Sequence, residues 1–481
     1  MKKLIIIAMA LATMAVQAQV RLNAGKDSKA VSADAMEKGT MVGRHEDNNV
    51  WLNSTRKGWR LTALDRDLQV VQTAEMDINA GRLLAVSMKG NTATLLLSAQ
   101  DKKATHVLVA RLSMEGETTV DTMATFETPG RKDKCLLWGA TSTLGNYMAV
   151  VAVQQFADSA EYVSTALLVA PRGNVVFRRE YPMTTFDQMF VTDNGCIVTL
   201  GYENTASGLD VMVNYVSANT TASSRNTIQG DPVHELGIVN VVGNRMMALG
   251  TTYGRGRKAD KTCNGVLAMS FDLDSSKVHG YEYRQFSLED VNILANQYIK
   301  KKQKSMTCEN VAVLGYAPTT YGGVMAITRS FEELKSTNDG INHHIFQRLG
   351  IIVAAVDIEG QVAWMSGIRC NDRQEYSGSA LRMGLVGDGD MVYIYKTESK
   401  KDPTGYDLTR AAKPQQAGKK GNLVRYSIGA KGFVEKAVLE PKSKHAFLLV
   451  TDNHEIITMR GRKLRRATVA EDTPVETPAT E

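Results

Sequence analysis

Between Arg82 and Phe126 the chain reads as strand, turn and strand in close succession. "RLLAVSM" meets Lys89-Gly-Asn and then "TATLLLS"; "THVLVARLS" meets Met114-Glu-Gly-Glu and then "TTVDTMATF". Apolar, β-branched runs bounded by Gly, Asn and Asp are the pattern of antiparallel hairpins. The same order of events recurs at 39–76, 135–181, 188–229, 234–286, 308–368 and 379–438, with a shorter final set at 444–469. The period is about 50 residues where the loops are short. A four-stranded sheet cannot bury both faces alone, and inner runs such as "MAVVAV" and "IIVAAV" are apolar on both. Radial packing buries both faces, and ring closure hides the long strand edges. The expected fold is therefore all-β, a β-propeller of about seven or eight four-stranded blades with one short inserted helix. Seven full sets plus about three strands favour eight blades, the last completed by a strand from the N-terminal segment. Seven blades and a multi-sheet sandwich are the alternatives.

The hairpin reading also fixes "IIVAAVDIEGQVAWMSGI" (351–368), which could be mistaken for a site. Asp357-Ile-Glu-Gly stands where other repeats carry "PRGN" and "MEGE", so it joins third and fourth strands, and Trp364 is expected between blades.

The ends differ from the body. Lys2 and Lys3 precede the apolar run Leu4–Val16, and small residues lead to Ala18, as in an export signal. That run is shorter than the ~20 residues of a membrane span, and no later segment is apolar enough to be one. The expected division is a signal peptide at 1–18, an N-terminal segment at 19–38 that could close the ring, a propeller at 39–468, and a disordered acidic tail at 469–481. Export places the mature chain in the periplasm or further out. Removing two lysines with the signal lowers the net charge from +6 to +4, too mild to imply nucleic acid. Five cysteines at 135, 196, 263, 308 and 370 form no C-x-x-C pattern, so no zinc or redox motif is present. One long-range disulfide is possible, but its pairing is not legible.

The inserted helix is "SLEDVNILANQYIKKKQK", with Ser287 as N-cap and Asp290 three residues on. Val291, Leu294 or Ala295, and Tyr298 fall on one face, and the lysines at 300–302 suit a helix C-terminus.

Loop length singles out one face. Turns joining first to second and third to fourth strands are tight. Long connections gather on the other face: 254–262, 287–307, 332–344, 371–378 and 397–420. Together they hold sixteen basic and eleven acidic residues. Such a face can attract an anionic partner: an envelope protein, an acidic glycan or a lipid surface. The basic candidates are Arg255, Arg257, Lys300, Lys301, Lys302, Lys419 and Lys420. On the same face, residues opening the innermost strands would ring the channel mouth: Arg82, Lys134, Asp187, His234, Glu235, Glu309, Arg382 and His445. A ring mixing acids, bases and histidines could bind a small polar ligand.

Catalytic signatures are missing. There is no G-x-S-x-G, H-E-x-x-H, Walker loop or G-x-G-x-x-G, and "GDGDMV" departs from the dinucleotide pattern after its second Gly. No cofactor or metal is expected. His343 and His344 are adjacent, so on an extended chain they point apart.

The signal ending "VQAQ", the hairpin "VDIEGQVAW" and the turn–strand "GDGDMVYIY" resemble exported, propeller-like proteins of unknown function from Gram-negative anaerobes. That resemblance implies no catalytic residues. It does imply that Asp121-Thr-Met and Asp158-Ser-Ala match a bacterial O-glycosylation pattern, and that a charged segment follows the Trp strand; "RCNDRQEY" matches it only in part. The functional expectation is a non-enzymatic, exported scaffold that binds through the basic long-loop face. The alternative is a carbohydrate-binding or carbohydrate-active protein using the channel mouth; a structural subunit of a surface assembly is the third reading.

Overall fold

The computed structural model describes residues 20–78, 81–130, 132–157, 161–181, 186–206, 208–254, 262–297, 306–336, 342–375, 382–416, 419–451 and 454–471. The expected signal peptide, the tail from 472, and Arg255, Arg257 and Lys300–Lys302 lie outside these residues.

Eight antiparallel sheets follow one another along the chain. Blade 1 opens with the strand Thr40–His45, blade 2 with Arg82–Lys89, blade 3 with Lys134–Thr141 and blade 4 with Gln188–Val191. Blades 5 to 8 open with Val233–Val242, Val311–Thr319, Met383–Asp388 and Ala446–Val450. In blades 1 to 7 the four strands pair in sequence order, with short additional strands on blades 5 and 6. Neighbouring first strands touch from blade to blade, so they form the inner ring. Blade 8 takes its fourth strand from the N-terminus: Val20–Ala24 pairs antiparallel with Lys463–Glu471, Val20 opposite Glu471 and Ala24 opposite Ala467. The expected ring-closing strand is thus present and the blade count is eight. The last strand runs to Glu471, past the expected tail boundary at 469.

Eight apolar clusters fill the eight spaces between consecutive blades. Blade 3 shows why its inner strands are continuously apolar. Val150 and Ala152 face blade 2, whereas Val151 and Val153 face blade 4. Alternate side chains leave opposite sides of a strand, so both faces are buried. Each fully buried Val or Leu contributes about 1.5–3 kcal/mol. Trp364 packs against the blade 6–7 cluster, as its hairpin position implies. The Asp357–Gly360 turn closes with the Gly360 N–H donating to the Asp357 carbonyl at 3.1 Å, and Gly360 takes φ +81°.

Two helices are described. The expected one spans Leu288–Leu294, with a capping box between Ser287 and Asp290. Val291, Ile293 and Leu294 bury it between blades 5 and 6. It stops earlier than the sequence suggested, because Asn296 adopts φ +48° and its side chain bonds Ala412 in both directions. The lysines at 300–302, expected at its C-terminus, lie outside the described residues. The second helix, Ala33–Lys38, was not foreseen; its buried Met36 packs between blades 8 and 1.

Long connections do sit on the face where first strands begin. Two of the expected loops are mostly strand. Blade 6 extends its second, third and fourth strands to Gly322–Ser336, Asn342–Asp357 and Val362–Glu375. Ladder pairs reach Ser336 opposite Asn342 and Ile345 opposite Glu375. Charged composition there hid backbone pairing, which needs no apolar face.

Candidate functional site

The first strands carry their opening residues to the mouth, but these do not act as one ring. Arg82 sends its guanidinium to the Leu137 carbonyl of blade 3, and Lys134 is exposed at the start of that blade. Glu309 is displaced from the ring. With Cys308 it forms a two-residue strand against Thr262–Cys263, beside the third strand of blade 5. Arg382 and His445 are taken up by the N-terminal segment: Arg382 pairs with Glu37 at 2.5 Å and His445 Nε2 meets Asp27 Oδ1 at 2.8 Å. Asp27 and Glu37 lie in a polar stretch without periodicity, so sequence reading gave them no role.

On the opposite side of the mouth, three expected residues do come together. The Asp187 carboxylate accepts the Tyr202 backbone N–H at 3.1 Å. The Tyr202 hydroxyl donates to the His234 carbonyl at 3.2 Å, and the Asn204 amide donates to the Val233 carbonyl at 2.7 Å. These bonds tie the second strand of blade 4 to the first strand of blade 5. Glu235 follows, half-buried, and among the described residues its carboxylate has no hydrogen-bond or ion-pair partner. Burial raises its pKa, opposed by His234. Tyr316 of blade 6 lies against Gly237, where a Cβ would stand 2.3 Å from the ring. Burial, then Glu235 and Tyr202, pushes the Tyr316 phenol up. Its hydroxyl is buried without a partner among the described residues. Tyr202, Asn204 and Tyr316 carried no sequence signal, because each reads as an ordinary strand residue.

A second site gathers cations. The second strand of blade 7 ends at Ser399 and the third begins at Gly421. The connection between them is held at many points. Gln415–Gln416 pairs in parallel with Asp372–Arg373 on the edge of blade 6. Arg369 Nε donates to the Leu408 carbonyl at 2.5 Å, and the Tyr406 hydroxyl donates to the Gly367 carbonyl. Lys436 Nζ donates to the Pro403 carbonyl at 2.8 Å, and the Lys413 N–H donates to Asp402 Oδ1 at 2.8 Å.

Between this connection and the blade 6 extension opens a cavity of about 650 Å³. Arg373, Lys400, Lys401, Lys413, Lys419 and Lys420 line it, together with Ser399, Ile345, Pro414 and three glutamines, and among the described residues no carboxylate does. Among the described residues none of these five lysines is in an ion pair. The acids nearby are committed below. Buried Lys396 Nζ stands 3.1 Å from Asp372 and 4.0 Å from Glu398, and Lys436 reaches Glu398 at 2.6 Å. Burial alone would depress Lys396, but its neighbours together, Asp372 first and Glu398 with it, outweigh burial and raise its pKa, so the ammonium stays charged. The floor is therefore internally balanced, and among the described residues the five wall lysines are not. Lys419 and Lys420 were expected at a site; Lys400, Lys401 and Lys413 were visible in the same long loop but not singled out, and Arg373 needed the strand extension.

No family model matches the chain, and no curated protein matches it. Among solved structures, the polysaccharide lyase Uly1 aligns at TM-score 0.33 and 10% identity, over 83% of this chain and 92% of that one. The Dos1 propeller aligns at TM-score 0.34 and 11% identity, over 81% and 92%. A protein of unknown function from Bacteroides caccae aligns at TM-score 0.25 and 13% identity, over 65% and 92%. At these scores the likenesses carry no argument about activity.

Proposed function

We propose that this chain is an exported, non-enzymatic binding propeller that holds an anionic partner in the cell envelope on its long-loop face. The observation that carries the reading is the blade 6–7 cavity, with five lysines on its walls that are in no ion pair and no acid lining it among the described residues. These five lysine charges repel one another, and a bound polyanion relieves that repulsion. A recess suits a chain-like acidic glycan, whose charges follow one another along a strand, better than a planar lipid surface. The glutamines and Ser399 add neutral donors and acceptors for hydroxyl groups. Export, read from residues 2–18, would bring the cavity to such glycans.

The test is equilibrium binding to a uronate- or sulfate-bearing polysaccharide at rising salt. Exposed ion pairs are worth about 0.2–1 kcal/mol each. Lys419→Glu with Lys420→Glu removes two attractions and adds two repulsions, so binding should weaken by about 2 kcal/mol, roughly 30-fold. Affinity unchanged by both salt and the reversal sinks the reading. A second reading rests on Glu235, Tyr202 and Tyr316, which offer an unpaired carboxylate and a buried phenol to a small polar or sugar ligand at the mouth. Glu235→Gln, and not the lysine reversal, would then abolish neutral-glycan binding.

A further inference from the structure

Two of the five cysteines meet across a β-ladder. Cys263 is the second residue of the third strand of blade 5, Thr262–Asp272, and Cys308 lies in the short strand Cys308–Glu309 that pairs antiparallel with Thr262–Cys263. The two are direct partners in that ladder. Directly opposed residues in antiparallel strands point to the same face, with Cα atoms about 4.5–5.5 Å apart, inside the ~4.4–6.8 Å range that a disulfide spans. Both are buried, at 8% and 5% exposure, and both belong to the apolar cluster between blades 5 and 6. The others lie in different blades: Cys135 pairs with Gln154 in blade 3, Cys196 stands in a turn of blade 4, and Cys370 is on the fourth strand of blade 6. None has a cysteine opposite it.

We propose that Cys263 and Cys308, thiols in this structure, are a disulfide-forming pair that staples the connection between blades 5 and 6 onto blade 5. The oxidant is a disulfide, supplied by a dithiol–disulfide oxidase or by oxidised glutathione. One cysteine thiolate attacks a sulfur of that disulfide, forming a mixed disulfide and releasing one thiolate. The second cysteine thiolate then attacks the mixed disulfide, closing the Cys263–Cys308 bond and releasing the other. The protein loses two electrons and two protons, and the oxidant leaves as two thiols.

Burial pushes the Cys263 thiol up to about 12 and Cys308 up to about 11. Few thiolates are present once the strand has docked, so the bond forms during folding and then resists exchange. The closed loop contains the helix Leu288–Leu294 and the segment bearing Lys300–Lys302. The staple therefore fixes the base of a basic connection, whichever ligand the face takes.

The full-length protein would be unfolded under reducing conditions and refolded in a buffer of reduced and oxidised glutathione. Free thiols are then alkylated and the protein is digested without reduction. The expected result is one linked peptide pair joining Cys263 to Cys308, with the other three cysteines alkylated. A variant with Cys135, Cys196 and Cys370 changed to Ser should retain no alkylatable thiol. Alkylation at all five cysteines, or a bond joining any other pair, overturns the proposal. In the oxidised protein, amides at 306–311 should also exchange more slowly than in the reduced protein, and Cys308→Ser should abolish that difference. Equal exchange in both forms contradicts the staple.

Discussion

Lys396→Met tests the floor of the cationic cavity. The Lys396 side chain is 1% exposed and sits against Asp372, itself 10% exposed, and Glu398 at 4%. Glu398 keeps Lys436 in the variant, whereas Asp372 loses its ion-pair partner. Leaving one buried charge uncompensated costs about 3–5 kcal/mol. Protonation sets a ceiling. Neutralising an Asp of ordinary pKa ~3.9 at pH 7 costs about 4 kcal/mol, at 1.36 kcal/mol per unit. The variant should thus lose about 3–4 kcal/mol at pH 7 and only about 1.5 kcal/mol at pH 5. The sign follows because protonation relieves a buried carboxylate that has lost its partner, so the penalty shrinks as pH falls. Adding Asp372→Leu removes the stranded charge and should recover most of the loss. Urea denaturation of the three proteins at both pH values reads this directly. A single-variant loss below about 1 kcal/mol at pH 7 refutes the reasoning. So does a loss that does not shrink at pH 5, or a double variant weaker than the single.

The remaining expectations concern the mouth and the ring. Burial raises Glu235, so the folded state holds its proton more tightly than the unfolded chain and loses stability as pH climbs from ~4.3 through the raised value. Thermal melts of the wild type should therefore fall relative to Glu235→Gln across that window; parallel curves contradict the burial argument. The Gly25 N–H donates to the Arg466 carbonyl at 2.8 Å, so by antiparallel alternation Asn23 stands in a bonded pair with Thr468. Asn23→Pro removes that ladder donor from the ring-closing strand and should cost about 1 kcal/mol, with faster amide exchange along 463–471. Unchanged exchange there would mean that the strand does not close blade 8. Arg382→Ala should free the N-terminal helix through loss of the Glu37 pair, with proteolysis near residues 30–38 as the readout. Unchanged cleavage would place the helix's hold in buried Met36 and in the Asn53 amide, which donates to the Ala35 carbonyl at 2.7 Å, rather than in the Glu37 pair.

The fold was legible because blade strands carry two independent signals, apolar content and turn chemistry. "MAVVAV" is apolar on both faces for a reason visible in the blade 2–3 and 3–4 clusters. Gly243-Asn and Asp193-Asn-Gly mark turns by backbone requirement alone, Gly243 at φ +58° and Gly195 at φ +84°. The closing strand "VRLNA" was inferred by counting strands, since its polar surroundings gave little pattern. The blade 6 extension escaped because "FEELKS" is charged, yet its backbone pairs regularly. The site was half visible. Lys419 and Lys420 share a loop with Lys400, Lys401 and Lys413, but their convergence depends on Gln415–Gln416 docking on another blade. Asp187, His234 and Glu235 were placed together by strand order. Arg382 and His445 fell out of the ring because distant acids, Glu37 and Asp27, claim them. Pairings between residues hundreds of positions apart leave no local trace.

Hydrogen exchange of the full-length protein, with and without a saturating acidic polysaccharide, tests the central claim most directly. The account predicts protection along 399–416, at 419–421 and at 371–375, where the cavity is built, and none at Asp187–Glu235. Protection confined to the mouth, or none anywhere under conditions where the polysaccharide is bound, would contradict it.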